Sequence, residues 1–182
     1  MPYAVELALD DDAAAVVRRL WRTLAGAGFP FMADSGAHPH VSIAIWEQID
    51  RPAMEDAVRR FAASTDEVDV ALPSVEVFAS TGVVFLALET SARLREVHAD
   101  GHRMLASAGR DPWPHYAPDA WVPHCTLAMD LGESADRVAA LVRHAPLPLR
   151  GRLVRAELVE FRPVRHLLEA PLRPGEGRAH RA

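Results

Sequence analysis

The stretch Pro39-His40-Val41-Ser42-Ile43-Ala44 returns later in the chain, with conservative changes only, as Pro123-His124-Cys125-Thr126-Leu127-Ala128. Each copy has a proline before the histidine, an apolar residue between the histidine and a hydroxyl residue, and an aliphatic residue followed by alanine at its end. The two copies lie about half of the 182-residue chain apart. Self-similarity at this spacing predicts two related halves that each contribute one copy to a shared site.

The alternation of residue types in each copy predicts a strand that is buried on one side. Successive side chains of a strand point to opposite faces, so His40 and Ser42 share one face while aliphatic residues occupy the other. His124 and Thr126 share a face in the same way, and Cys125 points to the opposite, buried face. Each strand therefore presents an imidazole and a hydroxyl together, and Cys125 is predicted to be an inert thiol.

The composition is that of a soluble globular chain. It is 49% hydrophobic and 25% charged, and its length suits one domain with a sizeable core or two small lobes sharing one. We see no apolar run of membrane-spanning length and no secretory pattern. The single cysteine excludes an intrachain disulfide, so a reducing, cytoplasmic setting is expected. We also expect a monomer.

The charge pattern restricts the partners. The formal net charge is −5, which argues against an extended, salt-sensitive grip on a nucleic-acid duplex but permits a nucleotide-sized ligand or an RNA end. All 20 basic residues are arginine. The absence of lysine excludes a Schiff-base lysine and a phosphate-loop lysine, so phosphate chemistry has to use histidine, arginine, hydroxyls and backbone amides.

The remaining pattern predicts an α+β fold of mainly antiparallel sheets backed by helices around a central cleft. Residues 1–172 are predicted to form one two-lobed domain and residues 173–182 a disordered tail. The strands are expected at residues 3–9, 41–46, 68–79 with an interruption at Pro73, 83–88, 122–129, 149–161 and 164–169. The helices are expected after Asp10 and at residues 50–61, 92–108 and 135–143, the last capped by Ser134. Loops are expected at residues 29–38 and in the proline-rich segment 111–121.

Two histidines that face one cleft can divide proton transfer between them, because an imidazole titrates near neutral pH and serves as base in one form and acid in the other. The hydroxyls of Ser42 and Thr126 can donate hydrogen bonds to the non-bridging oxygens of a phosphate, where charge develops. Hydrolysis of a cyclic phosphodiester suits this set, and it needs neither a metal nor another cofactor.

The paired motifs HVSI and HCTL resemble those of the two-histidine (2H) phosphoesterases, the superfamily of 2′-5′ RNA ligases and cyclic nucleotide phosphodiesterases. The resemblance extends from about Tyr3 to Leu168. It implies a two-lobed, pseudo-symmetric fold and metal-independent action on 2′,3′-cyclic or 2′-5′ phosphodiesters. It also implies that the two histidines and two hydroxyls lie at the floor of the groove, with His40 as the general acid and His124 as the general base.

One departure from the family pattern bears on the substrate. Members similar to the bacterial RNA ligase often carry arginine five residues after the second motif histidine, where this chain has Met129. The predicted function is therefore a cyclic phosphodiesterase that opens 2′,3′-cyclic phosphates of nucleotides or RNA ends, to 2′-phosphates, in RNA processing. The alternatives are a 2′-5′ RNA ligase or 2′-5′ phosphodiesterase, and a non-catalytic module that binds nucleotides or RNA ends.

Other residues carry weaker signals. His98 and His102 lie one helical turn apart, but the zincin pattern lacks its glutamate there, and His38 is interpreted as a loop residue. We therefore predict no metal site. Aromatic rings just ahead of the second motif could stack on a nucleobase, and among them Tyr116 is the best candidate because its hydroxyl could also reach phosphate. The other two rings are those of Trp113 and Trp121.

Overall fold

The computed structural model describes residues 1–175, which form nine strands and five α-helices besides short 3₁₀ turns. In chain order these are β1 (Tyr3–Leu9), α1 (Asp11–Gly26), α2 (Phe31–Asp34), β2 (His40–Ile49), α3 (Arg51–Ser64), β3 (Val68–Leu72), β4 (Ser74–Phe78), β5 (Val83–Ala87), α4 (Ala92–Leu105), β6 (Gly109–Pro112), β7 (His124–Ala128), α5 (Ala135–Val142), β8 (Leu149–Glu160) and β9 (Arg165–Pro171). None of the described helices is long and apolar enough to cross a membrane.

The strands form two antiparallel sheets, which confirms the predicted α+β class. One sheet has six strands in the order β3-β8-β1-β2-β6, with β9 also paired to β8, and the other has three in the order β4-β5-β7. The sheets are unequal because β8 and β9, from the C-terminal part of the chain, complete the sheet that contains β1 and β2. The lobes are therefore not the two halves of the sequence.

Helix α1 illustrates how local sequence positions the elements. The side chain of Asp10 accepts a hydrogen bond from the backbone N–H of Ala13 at 2.9 Å, which caps the helix as predicted. Its apolar stripe buries Val17, Trp21 and Leu24 in one core that includes residues of both sheets. Burial of this stripe holds α1 against the site described below.

Both motif strands carry a β-bulge at the same place. In β2 the extra residue is Ile43, which follows Ser42 and has no single partner on β1. In β7 it is Leu127, which follows Thr126 and has no single partner on β5. A bulge turns the side chains beyond it to the other face, so the alanine that ends each motif joins the same core as the aliphatic residue before it.

The structure corrects four local predictions. The predicted interruption of residues 68–79 at Pro73 is confirmed, but the two parts lie in different sheets, because Pro73 lacks a backbone N–H for the ladder and the chain crosses between the sheets there. The loop 29–38 contains the short helix α2, and the proline-rich segment begins inside β6, where Pro112 pairs with Trp46. Ser134 precedes α5 but makes no capping hydrogen bond.

The boundary between domain and tail stays a prediction. Arg173, the first residue of the predicted tail, accepts a backbone hydrogen bond from Glu67 at 2.8 Å and donates one to Thr65 at 2.9 Å. Its guanidinium also lies 2.8 Å from a carboxylate oxygen of Asp66. Regular contacts therefore extend to Arg173, and residues 176–182 of the predicted tail lie outside the described residues.

Candidate active site

The side chains of both motifs line a single cleft. His40 and Ser42 reach it from β2, and His124 and Thr126 reach it from β7, a strand that contacts β2. The structure thus brings together the four residues that the sequence singled out.

The two imidazoles are held in the same way. Nδ1 of His40 donates a hydrogen bond to the carbonyl oxygen of His38 at 2.6 Å, and Nδ1 of His124 donates one to the carbonyl oxygen of Val122 at 2.7 Å. In each case the acceptor lies two residues earlier in the chain. This bond places the proton of a neutral imidazole on Nδ1 and leaves Nε2 available to accept a proton in the cleft.

The bulges are held by two tryptophans: Trp21, which sequence reasoning did not place in the site, and Trp121, which it considered only for stacking on a nucleobase. Trp121 donates its indole N–H to the carbonyl oxygen of Ser42 at 3.0 Å, and Trp21 donates its own to the carbonyl oxygen of Thr126 at 3.0 Å. A bulge interrupts the ladder, so these carbonyls need another partner. Each indole thereby fixes the backbone that carries one of the two hydroxyls.

Burial favours the neutral forms of both histidines. Desolvation lowers the pKa of His40, against a smaller opposing effect of its bond to the backbone of His38. Desolvation also lowers the pKa of His124, and the nearby His40 adds to that effect. A free imidazole in either position is therefore a base at neutral pH, and an acid needs a further source of a proton.

Glu6 is a buried carboxyl beside the first histidine that the sequence analysis missed. Its Oε1 atom lies 3.2 Å from Nε2 of His40, and the residue is 6% exposed. Burial, and then the nearby Glu157, raise the pKa of Glu6 to about 8. The available signal was an acidic residue inside the otherwise apolar strand at residues 3–9.

A second group of polar side chains lies behind the first histidine. Ligand atoms of four residues lie within 4.8 Å of one another, a spacing that could hold a metal ion: His38, Glu157, His166 and Glu169. Arg155 already interacts with both carboxylates, at 2.6 Å from Glu157 and 3.1 Å from Glu169. Since the guanidinium supplies the positive charge that these carboxylates need, we interpret the group as an ion-pair network.

The aromatic residues ahead of the second motif have different surroundings. Tyr116 and Trp113 line the cleft, and burial raises the pKa of Tyr116 to about 12, so its phenol remains a hydrogen-bond donor. Trp121 instead stacks on His98, with ring centroids 3.9 Å apart. His98 and His102 do not belong to any group of three potential metal ligands in residues 1–175. Cys125 is buried, and desolvation raises its pKa to about 12, in agreement with an inert thiol.

Met129 and Arg162 also line the cleft. Met129 occupies the position where arginine was expected from RNA-ligase-like members, and Arg162 comes from the turn between β8 and β9. Arg162 has a φ of 71°, an uncommon conformation for a residue other than glycine that often occurs at functional sites. Sequence reasoning missed Arg162 because it is far from both motifs along the chain.

Comparisons with known proteins agree with the fold. The sequence model of the protein family described as the 2′-5′ RNA ligase superfamily matches residues 9–164 of this chain. The crystal structure of TT0787 from Thermus thermophilus is 18% identical, with a TM-score of 0.60 and coverage of 96% of this chain and 99% of that one. A crystal structure of a phosphoesterase is 16% identical, with a TM-score of 0.63 and coverage of 94% and 98%.

The crystal structure of Escherichia coli LigT complexed with 3′-AMP is 16% identical, with a TM-score of 0.56 and coverage of 94% of this chain and 99% of that one. At these identities the likeness shows the shared fold alone. Among curated proteins, no match was found.

Proposed function

This chain belongs to the 2′-5′ RNA ligase superfamily of 2H phosphoesterases, and we propose that it is a metal-independent phosphodiesterase that hydrolyses 2′,3′-cyclic phosphates of nucleotides or RNA ends to 2′-phosphates. The observation that carries the proposal is the convergence of His40, Ser42, His124 and Thr126 on one cleft. A non-catalytic binder does not need two imidazoles whose Nδ1 atoms are both held by backbone carbonyls.

The proposed reaction divides the work between the imidazoles. Nε2 of His124 takes a proton from water, whose oxygen attacks phosphorus. The bond between phosphorus and the ribose 3′-oxygen breaks, its electron pair stays on that oxygen, and the His40 side of the cleft supplies the proton that neutralises it. The product is a 2′-phosphate with a free 3′-hydroxyl.

The hydroxyls stabilise the charge that develops on phosphate. Ser42 and Thr126 lie two residues beyond the histidines on the same strands, so both hydroxyls can donate to non-bridging oxygens as the charge on them rises. The indole hydrogen bonds of Trp121 and Trp21 fix the backbone at these positions and so keep the two hydroxyls oriented towards the phosphate.

The apolar part of the cleft suits a nucleobase. Trp113, Tyr116 and Phe161 line it, and all three pack against a small buried cluster that includes Ile45. Aromatic rings favour stacking on bases of any sequence, so this wall supports binding of a nucleoside without strong base preference.

The test is turnover of 2′,3′-cyclic AMP, with and without a chelator, followed by identification of the product. We expect hydrolysis to 2′-AMP that survives chelation and is lost in both His40→Ala and His124→Ala. His144→Ala is a matched control, because this exposed histidine contacts Arg143 and lies outside the cleft lining. Activity abolished by the chelator, or binding without turnover, would contradict the proposal.

The second candidate is action on the 2′-5′ linkage of RNA, as a ligase or a phosphodiesterase. The match to the RNA ligase superfamily and the position of Arg162 in the cleft favour it, since a guanidinium can bind a second phosphate. Met129 and the net charge of −5 argue against it. The same assay with a 2′-5′-linked dinucleotide separates the two candidates.

A further inference from the structure

The two motif histidines differ in the residue that lies across the sheet from each motif hydroxyl. On β1 the partner of Ser42 is Glu6, whereas on β5 the partner of Thr126 is Phe85. These two positions correspond because both stand beside the bulge of a motif strand. One histidine therefore has a carboxyl beside it and the other has an aromatic ring.

The side-chain contacts of His40 and His124 differ in the same way. Oε1 of Glu6 lies 3.2 Å from Nε2 of His40, the nitrogen that the backbone bond leaves unoccupied. The ring of His124 meets the rings of Phe85 and Phe78 edge to face, with centroids 5.3 Å and 5.0 Å apart. A phenyl edge offers no exchangeable proton. The carboxyl can hold one, and it can pass it to the imidazole.

The charged and titratable groups around Glu6 come from four other strands and from the turn after β6. His40 lies on β2, Glu157 is the cross-strand partner of Glu6 on β8, and His166 lies on β9. The charge of Glu6 also raises the pKa of Tyr116, in the turn after β6, and of Cys125 on β7. Among these, His166 stabilises the ionised carboxylate while burial and Glu157 oppose it, and the opposing effects are larger. A protonated Glu6 is the result at neutral pH.

We propose that Glu6 and His40 form a dyad that shares one proton at Nε2, and that this dyad, not His40 alone, is the general acid. The inference rests on the proposed phosphodiesterase function. It also explains why two histidines with nearly the same backbone setting take opposite roles: within residues 1–175, Glu6 places a proton donor at Nε2 of His40, and the neighbours of the His124 ring are phenyl groups.

The proton balance of the step is complete. The proton on Oε1 moves to Nε2, and the resulting N–H donates it to the ribose oxygen as the phosphorus–oxygen bond breaks. Glu6 is left as a carboxylate, and the proton that His124 took from water restores it through solvent or product. The enzyme thereby returns to its starting protonation state.

The first experiment is the pH dependence of kcat/KM for 2′,3′-cyclic AMP in wild type and Glu6→Gln. In the wild type the alkaline limb reflects the loss of the dyad proton, near pH 8. In the variant His40 has to carry the proton itself, and burial holds its pKa below the ordinary 6.5. We therefore expect the alkaline limb to move below pH 6.5, and activity at pH 7.5 to fall about tenfold or more.

Glu96→Gln provides the matched control, because Glu96 is exposed on α4 and pairs only weakly with Arg93 at 3.7 Å. Its profile should coincide with that of the wild type. An unshifted alkaline limb in Glu6→Gln would overturn the proposal. This holds if the rate is unchanged, and it holds if the rate is lowered equally at every pH, because an equal loss at every pH is what a purely structural role of Glu6 would produce.

An NMR titration of the wild type keeps the inference testable if Glu6→Gln does not fold. We expect the side-chain carboxyl carbon of Glu6 and the Nε2 resonance of His40 to shift together near pH 8, while Nε2 of His124 stays unprotonated there. A Glu6 carboxyl that ionises below pH 6 would overturn the inference. No substrate is needed, so failure of the proposed hydrolysis is detected separately, by the turnover assay.

Discussion

The lobe that carries His40 and the lobe that carries His124 share a local design but differ in their surroundings. Both present a histidine, a bulge after a hydroxyl residue and a backbone carbonyl that holds Nδ1. The first lies in a six-stranded sheet beside a buried carboxyl, and the second lies in a three-stranded sheet beside aromatic rings. The comparison teaches that similar backbones position the two groups and different neighbours give them different chemistry.

Removal of either imidazole should have the largest effect. We expect His40→Ala and His124→Ala each to lower kcat for a 2′,3′-cyclic nucleotide by about 10²- to 10⁴-fold. The double variant should be little worse than either single variant, because the two groups act in one step. Steady-state kinetics of the three variants provide the measurement. Additive losses would indicate independent roles and would contradict a shared phosphate.

The carboxyl of the first lobe should make stability depend on pH. The pKa of Glu6 is raised to about 8 in the folded protein, so its contribution is complete below pH 4.5 and is lost as pH rises through 8. The free energy of unfolding of the wild type should therefore fall relative to Glu6→Gln between pH 5 and pH 9, by at most about 5 kcal/mol. Urea denaturation of both proteins at several pH values measures this, and parallel pH curves would refute it.

The indole hydrogen bonds of Trp21 and Trp121 should stabilise the bulges of the two motif strands. Trp21→Phe and Trp121→Phe each leave a bulge carbonyl without its donor, which should cost about 1–3 kcal/mol of unfolding free energy. Trp113→Phe is the control, because its indole donates to the exposed side chain of Glu47 and should matter less. Chemical denaturation gives the values. Equal stability of all three variants would show that the bulge carbonyls do not need the indoles.

Sequence reasoning found the residues of the two repeated motifs, and it missed residues whose roles depend on contacts between distant segments of the chain. His40 and His124 could be found because motif and alternation are local, and Asp10 could be recognised as a cap from its position before an apolar stripe. Glu6 and Arg162 were missed because their roles depend on which strands and turns meet at the cleft. Pairing of β8 with β1 is likewise a tertiary outcome that no local pattern encodes.

The smallest expected effect concerns a second phosphate at the cleft. Arg162→Ala should raise KM by about two- to fivefold for a dinucleotide that ends in a 2′,3′-cyclic phosphate, since an exposed charge pair contributes about 0–1 kcal/mol. The KM for a mononucleoside cyclic phosphate should not change. Arg165→Ala, at an exposed residue that pairs with Glu160, is the control. Equal changes in KM for both substrates would show that Arg162 does not bind a second phosphate.

The most direct measurement is a titration of the ¹⁵N-labelled protein with inorganic phosphate, followed at the imidazole nitrogens. A single phosphate between the lobes should shift Nε2 of both His40 and His124 with one common dissociation constant, while the exposed His144 does not respond. Shifts at only one of the two motif histidines, or two different dissociation constants, would mean that the imidazoles do not share a phosphate and would contradict the central claim.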